Sequence, residues 1–75
     1  MPPPRPDDAR PSHGLTPREL DVVRLIVEGR SDRAIGEALF ISHRTVMRHV
    51  TAILTKFDVP SRAAAAARAI RDGIV

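Results

Sequence analysis

The 75-residue chain contains no cysteine, tryptophan or tyrosine, and its only aromatic residues are Phe40 and Phe57. Without cysteine there is no disulfide and no thiolate metal site. So few aromatic rings argue against the stacking platforms that bind single-stranded nucleic acid. No apolar run approaches the length of a membrane-spanning helix, and the N-terminus lacks the apolar core of a secretory signal. We therefore expect a small cytoplasmic domain with no membrane partner.

The first 14 residues, MPPPRPDDARPSHG, differ sharply in composition from the rest of the chain. They hold five prolines, and their two arginines are balanced by two aspartates. Such a segment has almost no apolar surface to bury, so we predict a flexible arm or linker over residues 1–14. The remaining residues, 15–75, are predicted to form one folded domain.

Four amphipathic segments follow, and each begins at a residue that can cap a helix. The first opens at Thr16, with Pro17 in the first helical position and Glu19 as a capping-box partner. The expected caps of the others are Ser31 or Asp32, Ser42 and Ser61. Expected inward residues are Leu20, Val23, Ile26 and Val27, then Ile35, Ala38 and Leu39, then Val46, Val50, Ile53, Leu54 and Phe57. With no strand pattern, the prediction is an all-α four-helix bundle.

The second and third helices are separated by about three residues, which is the spacing of a helix-turn-helix motif. We expect the second to end near Leu39 and the third to run over about 43–57. Gly36, in the middle of the second, costs about 1 kcal/mol relative to alanine, so close approach of the third helix is its simplest explanation. In such a motif the later helix enters the DNA major groove.

The third helix carries basic side chains and no acid on the face opposite its apolar stripe. Arg48 is the expected base reader, because its guanidinium matches guanine O6 and N7. Met47 and Thr51 flank it and can contact a thymine methyl. Expected phosphate contacts are Arg33, Arg44, Thr45, His49 and Lys56. Taken alone, a basic helix face is more often simply solvated.

Over residues 15–75 the sequence resembles the LuxR-type, or GerE-like, DNA-binding domain of bacterial transcriptional regulators. The matching residues are Leu15, Thr16, Arg18, Glu19, Gly29, Ile41, Ser42, Thr45, Val46, His49, Lys56, Phe57, Ser61 and Arg62. The resemblance implies that the third helix reads double-stranded DNA and that the fourth, residues 61–72, forms a homodimer on it. The expected dimer residues are Arg62, Ala63, Ala66, Ala67 and Ile70. The transcription machinery is a further candidate partner.

Three residues depart from the pattern of the family that this sequence resembles. Met47 stands where relatives usually carry lysine, Gly36 where alanine is common, and Asp32 where asparagine is common. An acid at a helix start stabilises the helix, but it repels a phosphate that approaches the same end. These departures predict an altered base preference and weaker binding rather than loss of the fold.

Two other classes of function compete with DNA binding. A protein-interaction module that has lost DNA binding could use the smooth, alanine-rich face of the fourth helix. An enzyme is poorly supported, because the three histidines match no metal or triad spacing. The chain also lacks a phosphate-cradling glycine loop. We predict no catalytic site, no metal and no cofactor.

Overall fold

The structure is a computed structural model, and it describes residues 14–75. These residues form four helices and no strand: α1 (Pro17–Val27), α2 (Asp32–Leu39), α3 (His43–Phe57) and α4 (Arg62–Arg71). The predicted all-α architecture is confirmed. The flexible arm predicted for residues 1–14 lies, except for Gly14, outside the described residues.

Each helix begins at a side chain that satisfies one of its free backbone amides. The Thr16 hydroxyl accepts from the Glu19 amide at 3.1 Å, and the Glu19 carboxylate accepts from the Thr16 amide at 2.9 Å. The predicted capping box is therefore present. The remaining N-caps are Ser31, Ser42 and Ser61.

The helix ends differ in how the chain leaves the helix. Gly29 and Gly73 follow α1 and α4 with positive φ angles of 83° and 70°. At the ends of α2 and α3, Phe40 and Asp58 take left-handed conformations without being glycine. Since such a backbone costs a residue with a side chain roughly 1–2 kcal/mol, the packing of the surrounding helices has to hold both turns.

Side chains from all four helices form one core. Its buried members are Val22, Val23, Ile26, Ile35, Val46, Ile53, Phe57, Ala65, Ala69 and Ile74. The stripe predicted for α1 missed Val22, and Leu20 and Val27 are only partly buried. This wider buried face arises because α1 packs against α3 and α4 at the same time.

The inner face predicted for α2 is wrong at Ala38, which is exposed. The buried residues of this helix are Ile35 and Gly36, with Leu39 partly buried beside them. At about 100° per residue, Ala38 falls on the other side of Ile35 from Gly36 and Leu39, so it turns away from α3.

Gly36 lies beneath the turn between α2 and α3. A Cβ atom added there would lie 2.8 Å from the Ile41 carbonyl oxygen and 3.5 Å from a Val46 methyl carbon. The close approach predicted from the sequence therefore exists. The atom closest to the added Cβ belongs to the backbone of the turn, and the next closest belongs to a side chain of α3.

Candidate nucleic-acid interface

The outward face of α3 is built from two rows of residues spaced four apart. One row is His43, Met47 and Thr51, and the next is Arg44, Arg48 and Ala52; together they line a shallow open concavity. Positions four apart lie one above another on a helix, so the space between two such rows forms a groove along its surface. We call these six residues the outward face.

The opposite side of α3 fixes the helix to the core. Val46, Ile53 and Phe57 are buried completely or nearly so. Arg44, Arg48 and Thr51 are all exposed, and Met47 is 51% exposed. The residues predicted from the sequence to read bases therefore share one accessible surface.

Arg44 and Arg48 differ from most cations in the described part of the chain. Neither has a carboxylate oxygen within 4.0 Å among residues 14–75, a property that they share with Arg18 on α1. Two unpaired guanidinium groups one turn apart create a local positive potential. This potential can attract an anionic partner.

Thr45 and His49 lie at the margin of the outward face and are partly buried. The Thr45 amide donates to the Ser42 hydroxyl at 3.1 Å, and the two hydroxyl oxygens are 3.0 Å apart. Thr45 therefore helps to define the start of α3.

Arg33 lies near the start of α2 and is almost fully exposed. Its Nε atom is 3.4 Å from a carboxylate oxygen of Glu37, and the two side chains are 88% and 72% exposed. Such surface pairs contribute little, typically under 1 kcal/mol. The Arg33 guanidinium is therefore available to another anion.

Lys56 has a partner inside the domain. Its Nζ atom lies 2.6 Å from the Glu19 carboxylate and donates to the Gly14 carbonyl oxygen at 3.2 Å. Glu19 is only 5% exposed, so this pair joins the end of α3 to the start of α1. A phosphate contact from Lys56, as the sequence suggested, requires the ammonium group to leave this pair.

The surroundings of Glu19 keep its carboxyl group ionised. Desolvation alone would raise its pKa. The hydrogen bonds from Lys56 and Thr16, together with the Lys56 charge, outweigh that effect, so the pKa of Glu19 lies below its ordinary value. The pair therefore acts as a charged connection between helices.

The outer face of α4 is smooth and apolar. Ala63 and Ala67 are exposed, Ala66 is partly buried, and Ile70 is 60% exposed. Arg62 behaves differently from these four candidate dimer residues. Its guanidinium bonds to the Asp32 carboxylate and to the Arg30 carbonyl oxygen within the same chain.

Ala52 and His43 complete the outward face without having been predicted as contact residues, and the polar one is His43. It begins α3 and shares a row with Met47 and Thr51. The spacing 43, 47, 51 was the available signal. Within residues 14–75, no three histidine or acidic side chains are grouped so as to hold a metal ion, and no helix has the length and apolar character needed to cross a membrane.

Comparison with known families gives a match over most of the chain. Residues 13–69 match the family described as bacterial regulatory proteins, luxR family. The chain is 46% identical over 69 residues to the transcriptional regulatory protein LiaR of Bacillus subtilis, covering 92% of this chain and 33% of that protein. It is 47% identical over 66 residues to the transcriptional regulatory protein DegU of Brevibacillus brevis, covering 88% and 28%.

A solved structure supports the same fold. The transcription factor GerE superimposes with a TM-score of 0.74 at 33% identity, covering 80% of this chain and 90% of that one. The chain spans about a third or less of the length of LiaR and DegU. The similarity to those two proteins is therefore a similarity to one part of each.

Proposed function

The chain belongs to the luxR family of bacterial regulatory proteins, and on that premise we propose that it binds double-stranded DNA sequence-specifically as the effector domain of a transcriptional regulator. The observation that carries this proposal is the outward face of α3, where two exposed arginines lack an acidic partner among residues 14–75. A role in transcription implies a cytoplasmic location.

In this proposal, α3 enters the major groove. An α-helix with its side chains is about 10–12 Å across, and the groove is about 12 Å wide, so one helix fits. Arg48 reads guanine through its two-pronged guanidinium. Met47 and Thr51 lie beside it and contact thymine methyl groups, and Thr51 also offers a hydroxyl.

Phosphate contacts on either side set the register of the helix. Arg44, Thr45 and His49 come from α3, and Arg33 comes from α2, which crosses the DNA backbone in a helix-turn-helix. Lys56 is the least well supported of the proposed phosphate contacts, because its ammonium group is already bonded to Glu19. These contacts supply affinity for any sequence, and the base contacts supply discrimination.

We propose further that two copies meet through α4 on DNA. The small side chains Ala63, Ala66 and Ala67 allow two helix backbones to approach closely, and the half-exposed Ile70 gains burial when they do. A two-fold pair would place two α3 helices in successive major grooves, about 34 Å apart.

A salt titration of DNA binding tests the proposal. Affinity should fall steeply with salt, because each neutralised phosphate releases counterions. Arg44→Ala/Arg48→Ala should flatten the slope of log K against log salt by at least about 1. The matched control is Arg24→Ala/Arg71→Ala, which removes the same charge from weakly paired surface arginines and should leave the slope unchanged.

The same experiment separates DNA binding from a protein-interaction role. Equal slopes of log K against log salt for the double variant and its control would show that the outward face does not contact DNA. Absence of salt-dependent binding at low salt, together with a stable protein complex formed through α4, would favour the protein-interaction module instead.

A further inference from the structure

The first residues of three helices meet at one place in the structure. Asp32 begins α2, His43 begins α3 and Arg62 begins α4. The Asp32 carboxylate bonds to Arg62 through one oxygen, and its other oxygen lies 3.9 Å from His43 Nε2. Each helix start carries a partial positive charge, so one carboxylate among three such ends is electrostatically favoured.

Arg62 makes two hydrogen bonds near the start of α2, and one of them is to this carboxylate. Its Nη1 atom donates to Asp32, and its Nη2 atom donates to the Arg30 carbonyl oxygen at 3.0 Å. Bonding through two nitrogens fixes the plane of the guanidinium. The His43 contact is longer and its side chain is 63% exposed, so Arg62 is the main partner of Asp32.

We propose that Arg62 is a positioning residue for the DNA contact of α2: it neutralises Asp32 and thereby lets a phosphate reach the neighbouring Arg33. This inference rests on the proposed function. The sequence had suggested that Asp32 repels phosphate and that Arg62 lies in a dimer interface. Within the chain, the Arg62 guanidinium and the Asp32 carboxylate pair with each other.

The repulsion between the Asp32 carboxylate and a phosphate depends on the distance between them. Adjacent Cα atoms are 3.8 Å apart, and the Debye length is about 8 Å at physiological salt. A phosphate that binds Arg33 within this length of the Asp32 carboxylate is repelled by that charge when it is bare. Because the Asp32 side chain is mostly buried, water screens it poorly, and the nearby guanidinium is its effective counter-charge.

The test measures binding to a duplex of arbitrary sequence that is long enough for only one copy of the protein. Arg62→Gln should weaken binding about fivefold at low salt, because Asp32 then loses its main counter-charge. Adding Asp32→Asn should restore the affinity to within about twofold of wild type. Arg62→Lys, which keeps the charge, should also bind within about twofold of wild type.

Two control variants exclude an effect of net charge. Arg71→Gln removes a cation from the far end of α4 and should not change affinity. Arg62→Gln/Asp21→Asn has the net charge of wild type but leaves Asp32 bare, so it should stay as weak as Arg62→Gln alone. Rescue by Asp21→Asn would overturn the proposal.

The remaining outcomes separate the alternatives. If Asp32→Asn does not rescue Arg62→Gln, Arg62 itself contacts phosphate and the proposal is wrong. If Arg62→Gln weakens binding only on duplexes long enough for two copies, Arg62 acts in the dimer interface and the proposal is wrong. If wild type binds and Arg62→Gln binds equally well, this inference alone fails. If wild type shows no salt-dependent binding, the proposed function fails with it. Should Arg62→Gln not fold, a fivefold loss in Arg62→Lys would also overturn the proposal.

Discussion

Arg44 and Arg48 on the outward face of α3 contrast with Lys56 at the end of the same helix. The arginines are exposed and have no carboxylate partner within residues 14–75, whereas Lys56 lies 2.6 Å from the buried Glu19. All three are cations on one helix. A cation with a carboxylate close by stabilises the fold, whereas a cation without one is available to bind a ligand.

The largest expected effect comes from breaking the Lys56 pair. Lys56→Met leaves the Glu19 carboxylate buried without its cation, so we expect a loss of about 2–3 kcal/mol in the free energy of unfolding. Arg44→Met, the matched change on the outward face, should cost under about 0.5 kcal/mol. Denaturant titration of both variants measures the difference. Equal losses would abolish the distinction between the two regions.

A second prediction concerns base reading by Arg48. Arg48→Ala should lower discrimination at one base pair by about 1–3 kcal/mol while stability changes little. Sites selected from random DNA by wild type and by the variant provide the measurement. Arg24→Ala is the control, because Arg24 is an exposed arginine on α1, away from the outward face, where it pairs with Asp21. A uniform loss on every sequence would make Arg48 a phosphate contact.

A smaller effect is expected from adding a cation to the outward face. Met47→Lys replaces the proposed thymine contact with a third cation on a flexible stem that can reach a phosphate beside the groove, so affinity for sequences without that thymine should rise and the salt slope should steepen by about 1. Stability should stay within about 0.5 kcal/mol, since Met47 is half exposed. An unchanged salt slope would show that a lysine at position 47 does not reach a phosphate.

The smallest effect is the pH dependence that Glu19 contributes. Because its folded-state pKa is lowered, the carboxylate adds stability above its unfolded pKa, and this contribution is lost as pH falls through the folded value. Wild type should therefore lose more stability on acidification than Glu19→Gln. Melting temperatures over a series of acidic pH values test this, with Glu37→Gln as an exposed control. Parallel curves for wild type and Glu19→Gln would contradict it.

Local signals predicted much of the fold. The capping residues Thr16, Ser42 and Ser61 each begin the helix expected from them. Apolar spacing also separated the anchored side of α3 from the outward face. Prediction failed at Ala38, because a helix of eight residues offers too few apolar positions to define its inner face.

The roles of the charged residues were harder to predict. Lys56 and Arg62 looked like surface cations, and the sequence assigned them to phosphate and to a dimer partner. Their carboxylates lie 37 and 30 residues away, so neither pair has a helical spacing that periodicity could detect. No signal along the chain distinguished them from Arg44 and Arg48.

Capping and apolar periodicity fix where the helices begin and which side of α3 turns outward, because both act between residues at most a few positions apart. Which cations are already paired is set by the folded arrangement of the helices. That outcome depends on which helix starts and ends come together in space, and a carboxylate brought near from a distant segment changes the role of a cation without changing any local pattern.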